Sequence, residues 1–205
     1  MILGVAILAA GASTRMGQPK LLLPWGTGSV LAHLLEQWRR IAPAQIAVVC
    51  AKGPSPVATE LDRLKWPEDQ RILNPAPEQG MFSSIQCAAA WGGWKPNLTH
   101  WAVALGDQPL VQLQTLRDLL AFASSHPGQV CQPSRQGRGR HPVVLPATAF
   151  AQLRSSNAEN LKQFLLTTGQ SVVRCEVDDP GLDLDLDVPA DYARALAEQQ
   201  LRDDR

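Results

Sequence analysis

The first twenty residues constrain the fold more tightly than any other part of the chain. Ile2 to Leu8 is a short, near-continuous apolar run, the pattern of a strand buried on both faces. It stops at Ala9-Ala10-Gly11, and a polar, glycine-containing loop continues to Lys20. No basic stretch precedes the run, and Gly4, Gly11 and Arg15 suit a strand entering a loop better than a signal peptide.

The remaining chain alternates between the two periodicities. Ser29 is placed to cap a helix running to about Ala42, with Val30, Leu31, Leu34, Leu35, Trp38 and Ile41 on one face. Strand patterns follow at Gln45 to Ala51, Arg71 to Asn74, Trp101 to Leu105 and Ser171 to Val177. Helical patterns cover Pro56 to Lys65, Gly80 to Trp91, the stretch marked by Leu113, Leu116, Leu120 and Ala123, and Asn157 to Thr167. Pro189 suits the first turn of a last helix. Such alternation predicts an α/β fold, a mostly parallel sheet with helices on both faces. Gln129 to Gln132 and Pro142 to Leu145 are strand-like with no helix between them, so that part of the sheet is open to antiparallel pairing. They flank a basic hairpin or loop, Arg135 to Arg140. With no linker or repeat, residues 1–205 are expected to form one domain.

Composition narrows the function. The 205 residues are 45% hydrophobic and 19% charged, with a formal net charge of zero, which argues against nucleic-acid or membrane binding through bulk charge. No apolar run approaches the ~20 residues that cross a bilayer. Cys50, Cys87, Cys131 and Cys175 lie far apart, as free thiols of a reducing, cytoplasmic compartment would.

In open α/β sheets ligands bind beyond the carboxyl ends of the strands, which directs attention to the loops after Leu8, Asn74 and Leu105. In the first, small residues let backbone N–H groups approach phosphate oxygens; Arg15 supplies a forked donor and Lys20 a compact charge. The spacing of Gly11 and Gly17 fits neither the Walker A pattern nor the dinucleotide fingerprint, and a plain strand-to-helix turn with solvated charges would look similar. In the second, Gly80, Ser83 and Ser84 mark a helix start that offers free N–H groups to a ligand, or merely a capped helix. In the third, Asp107 stands at a strand tip, where it either binds magnesium or caps a turn. Near the C-terminus, acid and apolar residues alternate from Asp183 to Asp187, which also describes an edge strand with a wet acidic face.

These strings resemble one family. Leu8 to Lys20 is similar to the L-A-A-G-x-S-x-R-M-G-x-x-K signature of the molybdenum cofactor nucleotidyltransferases, and Leu21 to Trp25 resembles their cytidylyltransferase branch. Asn74 to Ser84 resembles the family's N-x-x-x-x-x-G-M-x-x-S segment, Leu105 to Pro109 its G-D-Q-P motif, and Asp183 to Tyr192 its D-I-D-T-P-E-D-Y ending, with Val188 and Ala190 replacing Thr and Glu. Gly139 to Val143 resembles its G-H-P-V segment, whereas Ser155 to Asn160 stands where L-x-G-D-x-G is usual.

The resemblance implies a Rossmann-like, three-layer domain of the nucleotide-diphospho-sugar transferase type. It implies transfer of CMP from CTP to the terminal phosphate of a molybdopterin-type cofactor, with magnesium and release of pyrophosphate. Leu8, Ala9, Ala10, Gly11, Arg15, Lys20, Asn74, Gly80, Ser83 and Ser84 would bind nucleotide. Arg15, Lys20 and Asp107 would be catalytic. Asp107 and Asp187 would hold the metal, with Asp185 as fallback for the second ligand. His141 faces the acceptor or orders its strand. Guanylyl relatives tend to carry Gly at the Ala10 position, which favours CTP over GTP. Alternatives are GTP with the same acceptor, a sugar-phosphate or phospho-alcohol acceptor, or a non-catalytic carrier that delivers cofactor. A molybdoenzyme or its maturation chaperone is an implied partner.

Overall fold

A computed structural model describes residues 1–203. The first half runs β1 (Leu3–Leu8), β2 (Pro24–Trp25), β3 (Gly28–Ser29), α1 (Val30–Ile41), β4 (Gln45–Ala51), α2 (Pro56–Arg63), β5 (Arg71–Asn74) and α3 (Met81–Ala90). The second half runs β6 (His100–Leu105), α4 (Leu113–Ser125), β7 (Val130–Arg135), β8 (Arg138–Gly139), β9 (Val143–Pro146), α5 (Ala147–Leu153), α6 (Leu161–Thr167), β10 (Val172–Glu176) and α7 (Pro189–Asp203). The main sheet has the order β10-β7-β9-β6-β1-β4-β5, with β8 paired to β7.

β1 lies at the centre of the parallel half, between β6 and β4. Its side chains alternate as a strand's must. Leu3, Val5 and Ile7 enter one core with Leu31, Leu35, Leu61 and Leu119, while Ala6 and Leu8 enter the other with Ile85, Phe150 and Phe164. One face is thus covered by α1, α2, α4 and α7, and the opposite face by α3, α5 and α6. A fully buried Leu or Ile in either layer stabilises the fold by about 1.5–3 kcal/mol.

α1 forms as its pattern predicts. Ser29 Oγ accepts from Ala32 N at 3.1 Å, capping the helix, and also donates to the buried Glu60 at 2.5 Å. The strands from 129 to 145 are where the parallel order breaks: β9 is antiparallel to both β6 and β7. β7 turns back through Gln136-Gly137 into β8, so the basic stretch is a hairpin. The segment from Asp183 to Asp187 is not an edge strand. Leu182, Leu184 and Leu186 are buried in the α1/α4/α7 core, and the aspartates alternate with them outward. The helix expected from Asn157 starts at Leu161, because Asn160 is its cap, accepting from Gln163 N at 2.9 Å.

Candidate active site

The parallel strands β1, β4, β5 and β6 end at Leu8, Ala51, Asn74 and Leu105 on one edge of the sheet. The loops after Leu8 and Leu105 are locked together there. Gly106 N donates to Leu8 O at 3.0 Å, and a Cβ at position 106 would stand 2.6 Å from that same oxygen. Only glycine permits this approach, and it brings Asp107 against the first loop. That loop is closed by Ser13, whose hydroxyl accepts from Lys20 N at 3.2 Å. Arg15 sits in a 3-10 turn, Thr14–Met16, and Lys20 opens another, Lys20–Leu22.

Four charged side chains meet at this edge. Lys20 Nζ lies 2.5 Å from Asp107 Oδ2 and 3.3 Å from Asp187 Oδ1. Arg15 Nη2 lies 3.0 Å from Asp187 Oδ2. Burial disfavours the Lys20 charge, but Asp107 first and Asp187 second outweigh it, and its pKa is raised. The segment carrying Asp187 is held in place by Leu186 N, which donates to Asp107 O at 3.0 Å. Asp185 has a different partner: its Oδ1 accepts from Gln108 Nε2 at 2.7 Å. Burial, and then the Asp107 charge, hold the Asp185 carboxyl above its ordinary range.

A cavity of about 380 Å³ opens beside this cluster. Leu8, Ala9, Ala10, Gly11, Arg15, Lys20, Gly80, Ser84, Asp107, Asp185 and Asp187 line it, with Leu21, Pro77, Met81, Leu105 and Gly106. Gly80 caps α3 with φ of 92°, a conformation that favours glycine. Asn74 and Ser83 are near but turned away. Asn74 is buried beneath the loop, and its amide reaches both serine hydroxyls.

His141 lies in a second cavity of about 610 Å³, which shares Met81 with the first. Its Nδ1 donates to Val103 O at 3.2 Å, and burial lowers its pKa, so the neutral ring keeps Nε2 as an acceptor. Arg138, Arg140, Lys162 and Arg174 make this cavity cationic. Arg140 and Arg135 are tied to Asp183 at 2.5 and 2.6 Å, which fastens the β7–β8 hairpin to the aspartate segment. Sequence reasoning left Lys162 and Arg174 aside, since isolated basic residues on a helix and a strand carry no local signal. Among the described residues no group of three or more His, Cys, Asp or Glu could hold a metal ion, and no helix is long and apolar enough to cross a membrane.

Fold and cavity together define an α/β protein of the nucleotide-diphospho-sugar transferase type. Residues 5–173 match the MobA-like NTP transferase domain, and the chain belongs to that family. It is 27% identical over 192 residues to the molybdenum cofactor cytidylyltransferase of Escherichia coli, covering 92% of this chain and 93% of the relative. It is 32% identical over 200 residues to the molybdenum cofactor guanylyltransferase of Mesorhizobium japonicum, covering 92% of each. It also matches the bifunctional protein GlmU of Stenotrophomonas maltophilia, of whose length it spans about a third (36%). Among solved structures, a homologue of a Mycobacterium tuberculosis protein from Mycobacterium sp. strain JC1 superposes with a TM-score of 0.76 at 27% identity, covering 96% of both chains.

Proposed function

We propose that this chain is a cytidylyltransferase of molybdenum cofactor biosynthesis, working in the cytoplasm as one catalytic domain. It would take CMP from CTP and join it to the terminal phosphate of a molybdopterin-type cofactor. The observation that carries this reading is the Arg15–Lys20–Asp107–Asp187 cluster at the carboxyl edge of the sheet, beside a nucleotide-sized cavity. Full-length similarity to relatives of both base specificities supports the acceptor class. Ala10, in the lining of that cavity, supports CTP, since a methyl group there narrows the space for a purine.

The donor set fits a divalent ion. Asp107 and Asp187 already face one cation, the Lys20 ammonium, and magnesium on a triphosphate needs only one or two protein carboxylates. When bound, such an ion would offset charge on the phosphates and the leaving pyrophosphate. Arg15 and Lys20 would hold the triphosphate and stabilise the same developing charge. The backbone of Ala9 to Gly11 gives close approach. The nucleophile is already an anionic phosphate, so the chain supplies position and charge without a side-chain base. Its approach is served by the second cavity, whose Arg138, Lys162 and Arg174 suit an anionic acceptor, and His141 Nε2 offers that acceptor a hydrogen-bond acceptor.

Pyrophosphate release from CTP and from GTP, each with molybdenum cofactor, tests the reading. Release is expected with CTP in preference to GTP. Equal or better turnover with GTP overturns the base choice, and release only with a sugar phosphate overturns the acceptor. A carrier would retain nucleotide-bearing cofactor without releasing pyrophosphate from CTP.

A further inference from the structure

Arg140 is, among the described residues, the one cation of the second cavity that pairs with a carboxylate. No Asp or Glu lines that cavity, and the partner, Asp183, stands behind the arginine. Asp183 Oδ1 accepts from Arg140 Nε at 2.7 Å, and Arg140 Nη2 lies 2.5 Å from the same oxygen. Asp183 Oδ2 accepts from Arg135 Nη1 at 2.6 Å. Each carboxylate oxygen thus holds one arginine. A guanidinium is planar, so fixing the Nε–Nη2 edge also fixes where Nη1 points. Arg140 Nη1 has no protein partner among the described residues.

The clamp is itself anchored. Asp183 closes the turn Pro180–Asp183 between the buried Leu182 and Leu184. Within that turn a Cβ on Gly181 would stand 2.1 Å from Leu110 O, so the segment is pressed onto the loop after β6. The far end of the hairpin is tied by Arg174 Nη1, which donates to Gly137 O at 2.9 Å. The cavity borders the charged cluster, since Met81 lines both cavities and the Asp107 charge reaches the His141 ring.

We propose that Asp183 is a positioning residue for the acceptor, holding Arg140 so that Nη1 meets an anionic group of the acceptor in the second cavity. The inference rests on the nucleotidyl-transfer reading and adds Arg140 to the cations that serve it. Removing Asp183 has two opposed effects. It makes the cavity more positive, which by itself tightens any anion. It also frees the arginine, whose ordering must then be supplied on binding. The pair is partly exposed, at 28% and 29% of the side chains, and salt screens such charges over about 8 Å, so lost alignment outweighs the gained potential. The sign of the change therefore separates alignment from charge.

The test is the KM for a molybdopterin-type cofactor at saturating CTP, read as pyrophosphate release by the full chain at about 0.15 M salt. Arg140→Ala should raise it on the order of ten- to a hundredfold, as loss of a charge-assisted bond does, with KM for CTP unchanged. Arg140→Lys keeps the charge without the fork and should raise it too. Asp183→Ala should raise it about two- to tenfold, with kcat and KM for CTP unchanged and Tm lowered by about 2–4 °C at most. Added to Arg140→Ala, it should change nothing further. Arg135→Ala leaves Arg140 on Asp183 and should keep the acceptor KM near that of the wild type. An unchanged acceptor KM in Arg140→Ala or Arg140→Lys overturns the proposal, as does a lowered one in Asp183→Ala. So does an Asp183→Ala effect that survives in the Arg140→Ala background, or a rise in Arg135→Ala equal to that in Asp183→Ala. A wild-type chain that releases no pyrophosphate from CTP or GTP with this acceptor fails differently, because it overturns the nucleotidyl-transfer reading itself.

Discussion

Lys20 is the residue on which the candidate site turns, and its neighbours show what its loss should do. Lys20→Ala removes a largely buried ammonium between two carboxylates, and Arg15→Ala removes a guanidinium whose side chain is 70% exposed. A surface ion pair of the Arg15–Asp187 kind is worth at most about 1 kcal/mol to the fold, so Arg15→Ala should melt close to the wild type, whereas Lys20→Ala leaves two carboxylates without their shared partner and should melt lower. A charge-assisted bond to triphosphate is worth about 1.5–3 kcal/mol, so each should lose on the order of ten- to a hundredfold in kcat/KM for CTP. Unchanged steady-state kinetics in both would remove phosphate from this loop. Asp107→Asn and Asp187→Asn keep shape while removing charge. Each should lose most of its turnover with a small change in Tm, and a normal rate in either would separate that carboxylate from the chemistry.

That Arg15, Lys20 and Asp107 would meet at one sheet edge was legible, because they follow the carboxyl ends of two apolar strands. Two things were not. Asp185 and Asp187 alternate with buried leucines in the same phase, so periodicity gives them the same surroundings, whereas Asp185 bonds Gln108 and Asp187 pairs with Arg15 and Lys20. The Asn74 amide is fixed by the Ala76 N–H and joins Ser83 and Ser84 of the next helix, which no spacing rule reports.

Among the elements, the long periodic ones and the short strands β5 and β9 formed where expected, whereas β2, β3 and α5 did not announce themselves. α5 was missed because Pro146 ends β9 and Ala147 begins the helix at once, with no capping side chain and no polar break between them. α4 shows a subtler case. Its own cap position, Gln112, makes no side-chain cap. Asp179, far along the chain after β10, supplies the acceptor instead. Its carboxylate takes bonds from Gln112 N and Thr115 Oγ1, both at 2.7 Å, and from Gly181 N at 2.9 Å. This staple joins α4 to the segment that carries Asp183, Asp185 and Asp187. Asp179→Ala leaves several buried donors unpaired, at about 1–3 kcal/mol each. A total loss near 3 kcal/mol should lower Tm by about 6–12 °C for a chain of this size. A melting point within a degree or two of the wild type would show the staple to be idle.

Over the whole molecule, one sheet edge gathers residues from the beginning, middle and end of the chain, and that gathering has a thermodynamic consequence. Lys20 serves as an internal counterion for Asp107 and Asp187, and Arg15 for Asp187. The acidic pair is therefore already neutralised, and a metal ion arriving alone must displace an ammonium before it gains a ligand. On the proposed reading, a triphosphate would draw Lys20 and Arg15 toward itself and uncover the carboxylates. Metal and nucleotide should thus bind with positive linkage, each raising the other's affinity by the same factor. Magnesium alone should leave Tm unmoved at concentrations where magnesium with CTP raises it clearly. In Lys20→Ala the order should invert, with magnesium alone gaining affinity while CTP loses it. A wild-type chain that takes up magnesium as tightly without nucleotide as with it would mean that the lysine guards nothing.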